Sequence, residues 1–252
     1  MPQQRPEFRL WALLFCGLCV RNSLYRVLDV ARNFSKIAVM ISSETPSQTP
    51  LCESEVEAIF VSSGALLDGH FLLASGRHSS RYIEKFRVLE QPQLASRLCG
   101  EIARRFANDE ITTVVGPVTG GILLAFDVAR QLECRAVYAE RDDSGNGFAL
   151  RRGFQIARGE RVLVVEDIVT TGGSAKKVVE LVRSLGGEVV GVGLLCDRSG
   201  GNADFGTGRV EALLHLDIES FAPESVPAWL SEKYGAARKP GTTAKPQENV
   251  SQ

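Results

Sequence analysis

The sequence predicts an α/β domain built on a parallel sheet with helices on both faces. Three observations predict it. Apolar strand-like runs alternate with amphipathic helical segments. The runs "ITTVVGP", "RVLVVED" and "EVVGVGLLCD" are almost continuously apolar, as strands buried on both faces are. The segments that follow the strands, 116–121, 140–153, 166–174 and 197–202, are rich in Gly, charge or hydroxyl. Such sheets bind ligands beyond the carboxyl ends of their strands.

The elements follow in order. Ser54 to Leu66 reads as a helix, with Val56, Ile59 and Phe60 apolar. "HFLLASG" and "RYIEKFRVL" read as short strands around the turn "SGRHSS". Gln93 to Phe106 carries Leu94, Leu98, Ile102 and Phe106 at helical spacing. "ITTVVGP" is a buried strand stopped by Gly116-Pro117, Gly120 to Leu132 a helix, and "CRAVYAE" a strand. Residues 141–159 are loop-like, with a hairpin through "DDSGNG". "RVLVVED" is a strand, Ser174 to Leu185 a helix, "EVVGVGLLCD" a strand, and "RVEALLHL" the last strand.

Composition bounds the function. The chain has 252 residues, 44% hydrophobic and 23% charged, enough for one domain with a sizeable core plus tails. A net charge of -1 argues against a nucleic-acid or membrane-surface partner. The six cysteines are scattered through apolar contexts, which reads as free thiols in a reducing compartment rather than a disulfide framework. Cys16-x-x-Cys19 has no second pair to complete a metal site. None of His70, His78 and His215 is a candidate catalyst, because they are dispersed in sequence. His215, in an apolar strand, is expected to be structural.

The apolar run Leu10 to Val20 is too short to span a bilayer, which takes about 20 residues. It lacks a small-x-small cleavage site, while the surrounding arginines also fit a transit peptide. Residues 1–50 are read first as a dispensable extension and second as a targeting segment. The folded unit is expected over 51–235, and the Pro-, Gly- and Thr-rich residues 236–252 as a disordered tail.

The stretch "VLVVEDIVTTGGS", 162–174, carries the chemistry. Gly172 and Gly173 free the backbone to turn its N–H groups toward one point, and Thr170, Thr171 and Ser174 add hydroxyls. The helix that follows adds its positive end, which makes a phosphate cradle. Glu166 and Asp167 would repel phosphate alone, but carboxylates suit ribose hydroxyls and Mg²⁺. A sugar phosphate with a metal is therefore expected. The P-loop phrase G-x-x-x-x-G-K-[ST] is absent, and "GVGLLC" lacks the third Gly of a dinucleotide fingerprint.

"VLVVEDIVTTGGS" resembles the phosphoribosyl-pyrophosphate motif of type I phosphoribosyltransferases. "GHFLLASGRHSSRYIEK", 69–85, is similar to the hood segment of the orotate phosphoribosyltransferases, and "CDRSGGNADFG", 196–206, to their orotate-contacting segment. The resemblance covers about 60 to 220. It implies a central parallel sheet flanked by helices with a small N-terminal hood. It implies that Glu166, Asp167, Ile168, Val169, Thr170, Thr171, Gly172, Gly173 and Ser174 bind phosphoribosyl pyrophosphate, with the acids on the ribose. It places Thr119 and Gly120 in a pyrophosphate loop, "GPVTGG", and Thr170 and Arg198 on orotate. Asp167 and Arg141 are the implied catalytic residues. Mg²⁺ would be held mainly through the substrate, with Asp167 as the protein's own candidate ligand. A cytoplasmic homodimer is implied, with no nucleic-acid or membrane partner.

The sequence departs from that family in three places. Ala74 stands where some members carry a hood Lys, and Thr119-Gly120 where some carry Tyr-Lys. The loop "ERDDSGNGFALRRGF" lacks the lysines and His of theirs, which leaves Arg151 and Arg152 as substitute cations. The expected reaction joins phosphoribosyl to orotate through an oxocarbenium-like transition state, with the loop 141–153 closing over the site. A transferase for another base, or a non-catalytic sensor on the same fold, are the rivals.

Overall fold

The computed structural model describes residues 49–240. Nearly all of the 1–50 extension, including Cys16 and Cys19, and most of the 236–252 tail lie outside the described residues. The elements are α1 (Glu53–Ser62), β1 (Leu66–Leu72), β2 (His78–Ile83), α2 (Phe86–Leu89), α3 (Pro92–Arg105) and β3 (Thr113–Pro117). Then come α4 (Gly120–Gln131), β4 (Arg135–Arg141), β5 (Phe148–Leu150), β6 (Arg161–Val169) and α5 (Gly173–Ser184). The chain continues through β7 (Glu188–Asp197), β8 (Val210–His215), β9 (Ser220–Phe221) and α6 (Ala228–Tyr234).

Six strands form the main sheet, in the order β5-β4-β3-β6-β7-β8. All of its pairs are parallel except β4 with β5, so the expected parallel sheet carries one antiparallel edge strand. That edge is the expected hairpin, closed where Arg141 faces Phe148. The strand alternation of β6 divides two cores. Leu163 and Val165 pack with Ile59, Leu98, Ile102 and Leu124 of α1, α3 and α4. Val162 and Val164 pack with Val178, Val179 and Val182 of α5. The covering of both faces expected from the apolar strands is observed.

A second sheet, β1-β2-β9, forms the hood. The helix expected to reach Leu66 ends at Ser62, because Gly64 turns the chain at φ +74° and Leu66 already opens β1. "RYIEKFRVL" is a strand only to Ile83, and Phe86–Leu89 is a turn of helix. β9 and α6 carry no periodicity long enough to be read. The expected tail is ordered at its start: Leu72 N–H donates to Arg238 C=O and Arg238 N–H to His70 C=O, each at 2.9 Å.

The histidines also differ from expectation. His215 is exposed at the end of β8, with its N–H on Glu53 Oε1 at 2.6 Å and its ring 3.1 Å from the same oxygen. His70 and His78, eight residues apart, meet across the hood hairpin at 2.7 Å. Of the cysteines, Cys99 and Cys196 are buried free thiols, whereas Cys52 is exposed. No helix among the described residues is long and apolar enough to cross a membrane.

Candidate active site

From β3 the chain runs one way to β4 and β5, then returns to β6 on the other side of β3. The topological switch point therefore lies between β3 and β6, the place where sheets of this kind bind ligands. A cleft of about 280 Å³ opens there. Its wall is made by Pro117 and Val118 after β3, Arg141 at the end of β4, Glu166 to Val169 of β6, the turn Thr170–Ala175, and Lys85.

The described residues hold three buried side-chain atoms with no hydrogen-bond partner: Glu166 Oε2, Asp167 Oδ2 and Arg198 Nε. All three belong to segments singled out in the sequence. Buried polar atoms without partners are rare in folded proteins, because each costs about 1–3 kcal/mol. Their concentration at one sheet end marks a place built for a polar ligand.

The two acids are held differently. Asp167 is 1% exposed, and Ile168 N–H donates to its Oδ1 at 2.6 Å. The Lys85 ammonium hydrogen-bonds the same oxygen at 2.9 Å and lies 2.7 Å from Oδ2, a contact of charge rather than of hydrogen-bond alignment. Glu166 has no cation in direct contact among the described residues. Burial, and then the charge of Asp167, push its pKa up to about 8. Neutral Glu166 can donate as well as accept a hydrogen bond, which suits a sugar hydroxyl.

The turn after β6 is the segment expected to cradle phosphate. Gly172 adopts φ +78°, and a Cβ there would lie 3.0 Å from Ala203 Cβ and 3.1 Å from Phe205 Cε1. Only glycine fits both the left-handed backbone and that contact. Lys176 N–H donates to Gly172 C=O and closes the first turn of α5. The amides before it have no carbonyl within the helix to meet, so they are available to an anion. Thr170 and Thr171 are exposed beside them.

The remaining sequence candidates sort as follows. Thr119 is the N-cap of α4 and Gly120 its first residue. The cleft wall beside them is Pro117 and Val118, while Gly120 backs directly onto Asp167. Arg141 lines the cleft and stacks over Phe148 at 4.5 Å. Arg198 lies outside the cleft wall, but its N–H donates to Val169 C=O at 2.7 Å, which seats it next to Thr170. Burial pushes the Arg198 pKa down, and its charge also acts on Tyr82 of the hood. Arg151 and Arg152 do not reach the cleft. They pair instead with Asp143 of their own loop at 2.6 Å and with Glu140 near the end of β4 at 3.0 Å. The residue that sequence reasoning missed is Lys85, the last residue of the hood phrase "GHFLLASGRHSSRYIEK" and its one lysine.

The chain matches known proteins across this same region. Residues 87–205 match the family model "Phosphoribosyl transferase domain". The orotate phosphoribosyltransferase of Desulforamulus reducens is 49% identical over 188 residues, covering 75% of this chain and 96% of that protein. That of Thermotoga maritima is 46% identical over 188 residues, covering 74% and 97%. Among solved structures, the orotate phosphoribosyltransferase from Aeropyrum pernix aligns with a TM-score of 0.55 at 29% identity, covering 71% of this chain and 98% of that one. With its alternating fold and this extent of identity, the chain belongs to the orotate phosphoribosyltransferase family.

Proposed function

We propose that this protein transfers the phosphoribosyl group of 5-phosphoribosyl 1-pyrophosphate to orotate, giving orotidine 5′-phosphate and pyrophosphate. The observation that carries the reading is the trio of unpartnered buried atoms around a helix N-terminus. The amides and hydroxyls of Thr170–Ser174 hold the 5′-phosphate. Glu166 and Asp167 hold the ribose hydroxyls and fix the ring against the sheet end. Arg198 pairs through its planar fork with the orotate carboxylate.

The bond from C1 of the ribose to pyrophosphate breaks as N1 of orotate adds from the opposite face. No side chain needs to act as nucleophile, so the protein's work is positioning and charge stabilisation. Arg141, fixed against Phe148, faces the departing charge. The 141–153 hairpin is the segment placed to close over the site and exclude water.

Mg²⁺ is the proposed cofactor. The carboxylate of Asp167, once Lys85 moves off it, and that of Glu166, once ionised, are the hard donors such an ion takes. Among the described residues no three His, Cys, Asp or Glu cluster as a metal cage, so the ion would be held largely through the substrate's own oxygens. It would screen the charge of the pyrophosphate. A homodimer is proposed from Leu123 and Phe126, 50% and 66% exposed one turn apart on α4, with Phe86 exposed on α2. The buried free thiols Cys99 and Cys196 support a reducing, cytoplasmic setting.

The test is orotate consumption, followed by its ultraviolet absorbance, with phosphoribosyl pyrophosphate and with or without Mg²⁺. Wild type should turn over only with the metal. Arg198→Ala should raise the KM for orotate about tenfold to a hundredfold, the worth of one charged hydrogen-bonded pair. Asp167→Asn should instead weaken phosphoribosyl pyrophosphate. Turnover of another base, or ligand binding without turnover of any, would replace this reading with one of its rivals.

A further inference from the structure

The sequence leaves the pyrophosphate side of the site short of cations, with Ala74 in the hood and Thr119-Gly120 after β3. The structure shows why position 120 carries no side chain. A Cβ on Gly120 would lie 1.7 Å from Asp167 Oδ2 and 3.4 Å from Leu89 Cδ1. A lysine at this position is incompatible with Asp167 where it stands. The cation arrives from elsewhere. Glu84 N–H donates to Ala65 C=O at 2.8 Å, which pins the chain as it leaves β2. The next residue, Lys85, then extends to Asp167 along the wall it shares with Pro117, Val118 and Arg141. Among the described residues, Lys85 and Arg141 are the two cations of that wall.

We propose that Lys85 is a substrate-binding cation for the pyrophosphate group, supplied by the exit of the hood in place of a lysine in the β3–α4 turn. Two features support a role beyond an ion pair. The Lys85 side chain lines the cleft and is 33% exposed, although the side chain of its partner Asp167 is 2% exposed. Asp167 also keeps the Ile168 amide when Lys85 moves away. In the free protein Lys85 balances Asp167. When the substrate's hydroxyls engage Asp167, the ammonium swings to the pyrophosphate oxygens without crossing uncharged space.

The inference rests on phosphoribosyl pyrophosphate being the ligand, and its test separates the two. Inorganic pyrophosphate, in metal-free buffer, is titrated calorimetrically into wild type, Lys85→Met, Lys85→Arg, Asp167→Asn and the double variant Lys85→Met/Asp167→Asn. Thermal melts accompany each variant. Lys85→Met should weaken pyrophosphate about tenfold to a hundredfold, and Lys85→Arg should restore most of it. The double variant decides the mechanism. If Lys85 touches pyrophosphate, the double variant binds as weakly relative to Asp167→Asn as Lys85→Met does relative to wild type. If Lys85 only neutralises Asp167, the double variant binds as tightly as Asp167→Asn, and the inference is overturned. In the full assay Lys85→Met should raise the KM for phosphoribosyl pyrophosphate and leave that for orotate within about twofold. A wild type that binds pyrophosphate through Lys85 but ignores orotate would sink the base assignment and keep this inference. One that consumes orotate with pyrophosphate affinity indifferent to Lys85 would do the reverse.

Discussion

Glu166 and Asp167 are adjacent, yet the pleat of β6 sends them to different surroundings. Asp167 continues the register of Leu163 and Val165, toward Gly120 and Lys85. Glu166 continues that of Val162 and Val164, where no cation among the described residues forms an ion pair with it. Folded, Glu166 keeps its proton up to about pH 8; unfolded, it releases it near 4.5. Between these values the folded state binds more protons at Glu166, so the contribution of this residue to stability falls as pH rises. Glu166→Gln should therefore match the ligand-free wild type at about pH 4 and exceed it increasingly toward pH 8. Urea melts across that range, in metal-free buffer, check it. A gap that is constant with pH would show that Glu166 titrates in the folded protein as it does in the unfolded chain. The acids, threonines and glycines of this site were legible in the sequence because they lie in one contiguous turn. Lys85 was not, since its partner is 82 residues away and only the hood's path brings them together. Arg151 and Arg152 misled for the opposite reason, because acids close in sequence, Asp143 and Glu140, claim them.

At the scale of elements, the start of α5 concentrates the most constraint. Gly172 combines a left-handed backbone with close contact to Ala203 and Phe205 from the segment after β7. Gly172→Ala should cost about 1–3 kcal/mol of stability, from strain in the left-handed region. It should also weaken phosphate, because the amides that follow are re-aimed. Denaturant unfolding and phosphate titration read the two effects. Unchanged stability would mean that the turn relaxes into another conformation. The long helices and the core strands were legible because 12- to 14-residue stretches such as Gly173–Ser184 and Pro92–Arg105 repeat their apolar spacing several times. The hood was read less well. α2 spans four residues and β9 two, too few for any period to register. The end of α1 turned on Gly64 rather than on the apolar residues beyond it.

For the molecule as a whole, composition alone suggested one domain between two extensions; among the described residues, a six-stranded sheet separates two cores. Phe126 is the most exposed large apolar side chain among them, at 66%. If α4 is the seam of a dimer, Phe126→Asp should shift the sedimentation coefficient from dimer to monomer while leaving the melting profile of the fold recognisable. An unchanged coefficient would move the seam elsewhere. The C-terminal end shows where composition misleads. Gly, Ala and Pro after Tyr234 read as tail, yet backbone pairing needs no particular side chain, and the segment folds back along the hood.

That return has a practical consequence. β1 is an edge strand of the hood sheet, and Arg238 pairs in parallel with its Phe71 while the guanidinium stacks 4.8 Å over the same ring. An uncovered edge offers its unpaired N–H and C=O groups to a strand of any other chain. Removing the residues after Tyr234 would bare such an edge, so a truncated form is the one to expect in inclusion bodies. A purification tag at this end needs a spacer that begins beyond Pro240.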